Sequence, residues 1–177
     1  EAALADPQLR FFLECSHEAL ERAGYNPEFF GGKIGVYGGT AISTYMFNNL
    51  TPDYDVHGIM TNYRQRYEVL SVNLNDFVAQ RVSYSLKLEG PSVNIQTACS
   101  TSLVSVHEAS KGLLNHECDM AIAGASQLRI PPKVGHMYQE GGVSSPDGHC
   151  RPFDENAGGT VHANGAGVVV LKRLSDA

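Results

Sequence analysis

The sequence predicts an α/β fold in which a central sheet is covered by helices on both faces. Three observations predict it: helical and strand patterns alternate along the chain, the strands are short continuous apolar runs, and 18 of the 177 residues are glycine. Continuous apolar strands are typical of sheets buried on both faces. Abundant glycine in an apolar chain is typical of the tight turns and close backbone approaches of layered folds.

The first predicted helix follows Asp6-Pro7 and ends at Gly24. Its apolar or small side chains recur at helical spacing and predict one buried face; they are Leu9, Phe12, Leu13, Ser16, Ala19 and Leu20. An apolar run at 34–39 then predicts a buried strand that leads into a glycine turn. Residues 40–75 predict no regular element beyond a break at Thr51-Pro52-Asp53.

Helices and strands continue to alternate in the second half of the chain. Asp76 is the predicted start of a helix, and Gly90-Pro91 marks a break before a strand at 92–96. A helix is predicted at 100–115, followed by a buried strand at 120–125, an irregular region at 131–148 and a final strand at 168–171. The helix at 100–115 is apolar around most of its circumference, so we expect it to be buried on nearly all sides.

Composition excludes two classes of partner. The formal net charge is -6 and no run of Lys or Arg occurs, which argues against a nucleic-acid surface. No apolar stretch reaches the roughly 20 residues needed to span a bilayer, so we expect no membrane segment. The chain starts without Met and shows no signal-peptide pattern, and we expect it to be an excerpt of a longer protein.

The four cysteines are Cys15, Cys99, Cys118 and Cys150, and none stands in CxxC spacing. An even number could form two disulfides, but nothing indicates secretion, so free thiols are favoured and no metal site is expected. A reducing cytoplasm fits this usage best.

The chemistry-bearing segment is 90–104, which is predicted to run from strand through a sharp turn into a helix with Cys99 at the turn. Small neighbours (Thr97, Ala98, Ser100) allow the backbone to bend and a substrate to reach the sulfur. A helix N-terminus favours thiolate over thiol, and the thiolate is the nucleophile. The competing interpretation is that Cys99 is a small buried hydrophobe, as a lone cysteine in an α/β core usually is.

A cysteine nucleophile normally needs a proton acceptor nearby. The histidines of the chain are His17, His57, His107, His116, His136, His149 and His162. His107 is predicted to point away along the same helix, and His149 and His162 fall in loops that are more simply solvated. None is placed beside Cys99 by the sequence, and His162 is assigned no role.

Residues 97–104 read Thr-Ala-Cys-Ser-Thr-Ser-Leu-Val. This segment closely resembles the active-site segment of the ketosynthase (β-ketoacyl synthase) domains of modular type I polyketide synthases. Further similar segments follow in order along nearly the whole chain: Asp6-Pro7-Gln8 and the helix to 25, 76–92, 117–124, 138–154 with its Ser-Pro-Asp-Gly loop, and 165–174. The likeness is weakest at 40–75.

The resemblance implies a thiolase-like fold of α-β-α-β-α layers that works as a homodimer, with residues 1–177 as the N-terminal portion. It implies that Cys99 accepts an acyl group from the phosphopantetheine arm of an acyl carrier protein, and that its backbone N–H is an oxyanion-hole donor. Decarboxylative condensation with a malonyl-type extender would follow. Adjacent acyltransferase and other synthase domains are the implied partners, and no cofactor is bound directly.

Two departures from the family pattern bear on function. The family's two catalytic histidines lie in motifs of the C-terminal half that do not occur here, so this stretch alone is expected to lack turnover. Gln96 stands where many relatives carry Asp, which we interpret as a tolerated variation. The alternatives are a fatty-acid ketosynthase, a thiolase-family condensing enzyme, or a non-catalytic partner resembling a chain-length factor. The last typically lacks the cysteine, which is present here.

Overall fold

The computed structural model describes residues 2–52, 55, 58, 61–132 and 135–177. Its strands are β1 (Ile34–Thr40), β2 (Ser92–Asn94), β3 (Met120–Gln127) and β4 (Gly165–Lys172). Its helices are α1 (Pro7–Arg22), α2 (Tyr63–Leu70), α3 (Val78–Ser85) and α4 (Thr101–Leu114). The sheet order is β2-β1-β3-β4, with β1 parallel to β2 and β3, and β4 antiparallel to β3. The predicted α/β class is confirmed.

Helix α1 begins and ends at the residues that the sequence indicates. Asp6 caps it by accepting a hydrogen bond from the backbone N–H of Gln8 at 2.8 Å. At the other end, Gly24 has a φ of 79°, and the N–H of Tyr25 donates to the carbonyl of Leu20 at 3.0 Å. This is a Schellman ending, in which a residue with positive φ lets the chain turn back over the last carbonyls.

Two apolar clusters cover opposite faces of the sheet. Consecutive residues of a strand point to opposite faces, and in β1 Val36 belongs to one cluster and Tyr37 to the other. The first cluster lies between the sheet and helices α1 and α3, with Phe12 and Val82 fully buried. The second lies between the sheet and α4. Strands β1 and β3 are therefore covered on both sides, as predicted.

The expectation that the helix after Cys99 is buried on nearly all sides is wrong. Leu103 is 76% exposed and Leu114 is 73% exposed. The face of α4 against the sheet instead carries small residues, Ser105, Ala109 and Gly112. Small side chains let the helix lie close to the strands, and this leaves Leu103 and Leu114 on the far side, while Leu113 is buried. Strand β4 was likewise predicted to be buried on both faces, but Val169 is 45% exposed.

Residues 40–75 contain helical structure that the sequence pattern did not reveal, namely a π-helical turn at Met46–Leu50 and helix α2. The helix predicted from Asp76 begins as a 3-10 turn, Asn75–Phe77, and becomes α-helical at Val78. Asp53 of the predicted break, His57, and residues 133 and 134 of the predicted irregular region lie outside the described residues. Within the described part of the chain, no helix combines the length and apolar character needed to cross a membrane.

Candidate active site around Cys99

Cys99 lies in a 3-10 turn, Ala98–Ser100, between strand β2 and helix α4. Its side chain is exposed. Ala98, just before it, has a φ of 53°, a left-handed conformation that costs a residue with a Cβ about 1 kcal/mol. The predicted strand, sharp turn and helix are confirmed, and the alternative of a buried, packing cysteine does not hold at this position.

Hydrogen bonds within the turn hold this backbone conformation. The hydroxyl of Thr101 donates to the carbonyl of Ala98 at 2.8 Å and accepts from the N–H of Thr97 at 3.1 Å. The hydroxyl of Ser100 donates to the carbonyl of Thr97 at 2.8 Å. The first residues of α4 therefore fasten the segment that presents Cys99.

Cys99 opens onto a cavity of about 1030 Å³. The cavity lies where β1 and β3 end and β4 begins, with Thr40, Ser126 and Gly165 on its wall. Ligand sites of α/β sheets occur at the carboxyl ends of parallel strands. The position of the cavity follows from the topology, because β1, β2 and β3 are parallel and all end toward it.

Gln96, which also lines the cavity, belongs to a network of side-chain amides. The side-chain N–H of Asn75 donates to Oε1 of Gln96 at 3.2 Å and to the carbonyl of Thr40 at 3.0 Å. An aspartate oxygen could accept the same bond, which agrees with Gln96 as a tolerated variation. Close beside this network, a side chain on Gly39 would overlap the carbonyl oxygen of Ile95 and crowd Thr101. Glycine at this position lets the Cys99 turn approach the sheet.

Part of the cavity wall comes from residues 40–75. Thr44 accepts a hydrogen bond from the N–H of Ile130 at 2.8 Å, and Asn48 donates to the carbonyl of the same residue at 2.7 Å. All three residues line the cavity. The segment after β3 is thus fixed by polar side chains about 85 positions earlier in the chain, and a local sequence pattern could not indicate this pairing.

Two residues of the cavity wall were missed by the sequence reasoning. His162 is exposed in a loop, as the sequence analysis expected, but it also lines the Cys99 cavity, and so does Arg129. The other described histidines are not lining residues of this cavity. His17 contacts Glu21, and His136 and His149 bond within the Ser-Pro-Asp-Gly loop to the carbonyls of Ser145 and Asp147.

The four cysteines are free thiols, as predicted. Cys99 and Cys150 are exposed, Cys15 is half-buried and Cys118 is buried under α4. Burial raises the pKa of the Cys118 thiol. Because the thiolate is the reactive form, Cys118 is shielded from electrophiles both by access and by protonation.

Comparisons with known proteins agree with this geometry. The family described as "Beta-ketoacyl synthase, N-terminal domain" matches residues 1–177. The chain is 48% identical over 179 residues to a phenolphthiocerol/phthiocerol polyketide synthase polypeptide of Mycobacterium tuberculosis (strain CDC 1551 / Oshkosh), covering 99% of this chain and 12% of that protein. It is 42% identical to the polyketide synthase PksL of Bacillus subtilis (strain 168), covering 100% of this chain and 4% of that protein.

Solved structures give the same result. Ketosynthase twelve of the bacillaene polyketide synthase in Bacillus amyloliquefaciens has a TM-score of 0.82 at 32% identity, covering 98% of this chain and 29% of that chain. The ketosynthase from module 6 of the bacillaene synthase of Bacillus subtilis 168 has a TM-score of 0.73 at 39% identity, covering 99% and 28%. The chain thus spans at most 12% of the two curated relatives and at most 29% of these two ketosynthases.

Proposed function

Because this chain belongs to the β-ketoacyl synthase N-terminal domain family, we propose that it is the nucleophile-bearing part of a polyketide synthase ketosynthase and that Cys99 is its acylated residue. Its α/β fold is similar to solved ketosynthases, which have the thiolase-like fold. The observation that carries the proposal is the exposed Cys99 on a hydrogen-bonded turn at the start of α4, at the edge of a cavity large enough for an acyl chain.

The proposed acylation is a thioester exchange. The Cys99 thiolate attacks the carbonyl carbon of a donor thioester, the bond from that carbon to the donor sulfur breaks, and the donor leaves as a thiolate that takes up a proton. Negative charge builds on the carbonyl oxygen during attack. We assign the backbone N–H of Cys99 as a donor to this oxygen. This assignment is supported by the absence of a hydrogen-bond partner for that N–H among the described residues.

The second half-reaction extends the chain. A malonyl-type thioester loses CO₂, and the electron pair of the broken carbon–carbon bond forms a carbanion that attacks the acyl-Cys99 carbonyl. The bond from carbon to the Cys99 sulfur then breaks, which restores the thiolate and releases a β-ketoacyl thioester. The resemblance assigns the histidines of this step to a C-terminal half outside residues 1–177, so both halves are needed for turnover.

The relatives support the proposed partners, since they are polyketide synthases. The substrates are carried on the phosphopantetheine arm of an acyl carrier protein, and other synthase domains, including an acyltransferase, act on the same intermediates. We further propose a cytoplasmic homodimer in which the second half completes the layers that this chain begins.

The proposal is tested with Cys99→Ala in the complete ketosynthase. Incubation with an acyl thioester is expected to add one acyl group to the native enzyme, detected by intact-protein mass and mapped to Cys99, and none to the variant. Iodoacetamide and cerulenin are expected to label Cys99 first. Cys118→Ala serves as the matched control, since removal of a buried thiol should leave both signals intact. Acylation that persists in Cys99→Ala would refute the assignment.

A further inference from the structure

The Cys99 cavity has an unusual charge for this protein. The chain carries 19 acidic residues against 13 Lys and Arg. Among the described residues that line the cavity, none is Asp or Glu, whereas two can carry positive charge, Arg129 and His162. Although the protein as a whole is acidic, the described residues of this wall include no carboxylate and carry one permanent positive charge, that of Arg129.

Arg129 and His162 lie on neighbouring segments. The backbone N–H of Arg129, just after β3, donates to Oδ1 of Asn164 at 3.0 Å. Asn164 is two residues beyond His162 and directly precedes β4. This bond joins the two segments at the point where β3 and β4 separate, so the backbone of Arg129 lies beside the segment that carries His162, and both residues line the cavity.

The guanidinium of Arg129 has N–H donors that are free to bind a ligand, as far as the described residues show. It is half-buried, and it has no carboxylate partner or side-chain hydrogen bond within the described part of the chain. Other arginines are paired: Arg22, Arg64, Arg151 and Arg173 each form an ion pair with Glu or Asp. A partly desolvated guanidinium binds phosphate or carboxylate oxygens strongly, because its planar donors match their geometry.

The neighbouring wall adds neutral polar groups. Ser126 is 3% exposed, lines the cavity, and its hydroxyl has no hydrogen-bond partner among the described residues. A buried hydroxyl without a partner is costly, but this oxygen is closed off from the cavity, so Ser126 adds polarity near the wall rather than a direct contact. Asn48 and Gln127 also line the cavity. Neutral donors beside one cation suit an anion held by several hydrogen bonds.

We propose that Arg129 and His162 form a subsite for an anionic group of the acyl donor, either the phosphodiester of the phosphopantetheine arm or a carboxylate on the acyl chain. The subsite deepens the proposed function and rests on it, since it is defined by the donor that loads Cys99. Arg129 supplies the charge, and His162 donates a hydrogen bond from its ring.

The test compares three thioesters in the complete ketosynthase. The first is a neutral acyl N-acetylcysteamine thioester, which has no phosphate. The second carries the same acyl group on phosphopantetheine, and the third is an N-acetylcysteamine thioester of equal length ending in a carboxylate. The rate constant for acylation of Cys99 is measured by intact mass for the native enzyme, Arg129→Gln and Arg129→Lys. Arg22→Gln is the control, since Arg22 is exposed and outside the cavity.

A phosphate subsite predicts that Arg129→Gln slows the phosphopantetheine donor about tenfold or more relative to the neutral donor. A carboxylate subsite predicts the same loss for the third donor instead. Arg129→Lys should restore part of either preference, and Arg22→Gln should change none. Equal rate changes for all three donors, or no change, would overturn the subsite. If the native enzyme is acylated at Cys99 by no donor, the proposed function itself fails, and nuclear magnetic resonance titration with phosphopantetheine and with glutarate still decides whether Arg129 binds an anion.

Discussion

The hydroxyl of Thr101 bonds to both ends of the turn that carries Cys99. It donates to the carbonyl of Ala98 and accepts from the N–H of Thr97, and the residue is only 8% exposed. Since Ala98 holds a left-handed φ of 53°, the turn needs compensating contacts to persist. One side chain on the first residue of α4 therefore couples helix formation to the presentation of Cys99.

We expect Thr101→Val to destabilise the complete ketosynthase by about 1–3 kcal/mol, because two partly buried backbone groups lose their partner. Valine keeps the shape of threonine, so packing changes little. Acylation of Cys99 should slow as the turn loosens. Thr101→Ser, which keeps the hydroxyl, should behave like the native enzyme. Urea unfolding and acylation rates measure both effects, and equal behaviour of the two variants would contradict the role of the hydroxyl.

At the scale of elements, Gln8 connects helix α1 to the cavity wall. It is fully buried, and its amide oxygen accepts from the N–H groups of Ala41 and Leu128 at 3.2 and 3.1 Å. Its amide nitrogen donates to the carbonyl of Ala41 at 3.1 Å and to Asp6. Ala41 follows β1 and Leu128 follows β3, and both line the cavity. One glutamine thus holds the ends of two neighbouring strands.

We expect Gln8→Met to cost roughly 3 kcal/mol or more in the complete ketosynthase, since several backbone groups lose their partners at once. Ser16→Ala is the matched control. Ser16 is also fully buried on α1, but its hydroxyl bonds only to the carbonyl of Phe12 in its own helix. Hydrogen exchange should accelerate at the amide of Leu128 in Gln8→Met alone, and less at Ala41, whose N–H also donates to the carbonyl of Ser126 at 3.3 Å. Unchanged exchange there would show that Gln8 does not position the wall.

The ends of the helices show what local sequence can predict. Gly24 marks the end of α1, because glycine readily adopts positive φ. Helices α3 and α4 end in the same way, but with Lys87 at a φ of 53° and His116 at 59°. The N–H groups of Leu88 and Glu117 then donate to the carbonyls of Ser83 and Gly112. Lysine and histidine do not signal a positive φ as glycine does, so the exact ends of these two helices could not be predicted from residue type.

The candidate site also combines features that local sequence predicts with features that it does not predict. The position of Cys99 at a turn was predictable because its strand, turn and helix are contiguous in sequence. The place of Arg129 and His162 on the same cavity wall was not, since separate strand ends converge there. Likewise, Thr44 and Asn48 contact Ile130 across about 85 positions, and helix α2 has a polar sequence without a clear apolar period.

At the scale of the whole molecule, the pKa of a surface carboxyl is lowered, whereas the pKa values of two groups in the core are raised. Arg151 and Ser145, with the N–H of His149, bind the carboxylate of Asp147 and hold its pKa well below the usual range. In the core, burial raises the pKa of Cys118 and of Tyr37. The folded state thus favours a charged Asp147 and a neutral Cys118.

These directions fix the sign of the pH dependence. A lowered carboxyl pKa contributes stability above about pH 4 that is lost as the pH falls. A raised thiol pKa contributes stability below about pH 8.5 that is lost as the pH rises, because the unfolded chain then releases a proton that the fold retains. Tyr37 acts in the same direction, but only above about pH 10.

We expect the unfolding free energy of the complete ketosynthase to fall between pH 8 and 10, and to fall less steeply in Cys118→Ala. Alanine removes the thiol that must stay protonated under α4, so the alkaline loss attributed to it disappears even though the cavity lowers stability at every pH. Cys150→Ala is the control, since Cys150 is exposed. Urea unfolding at constant ionic strength measures the slopes. Identical slopes for the native enzyme and Cys118→Ala would show that burial of this thiol does not link folding to pH.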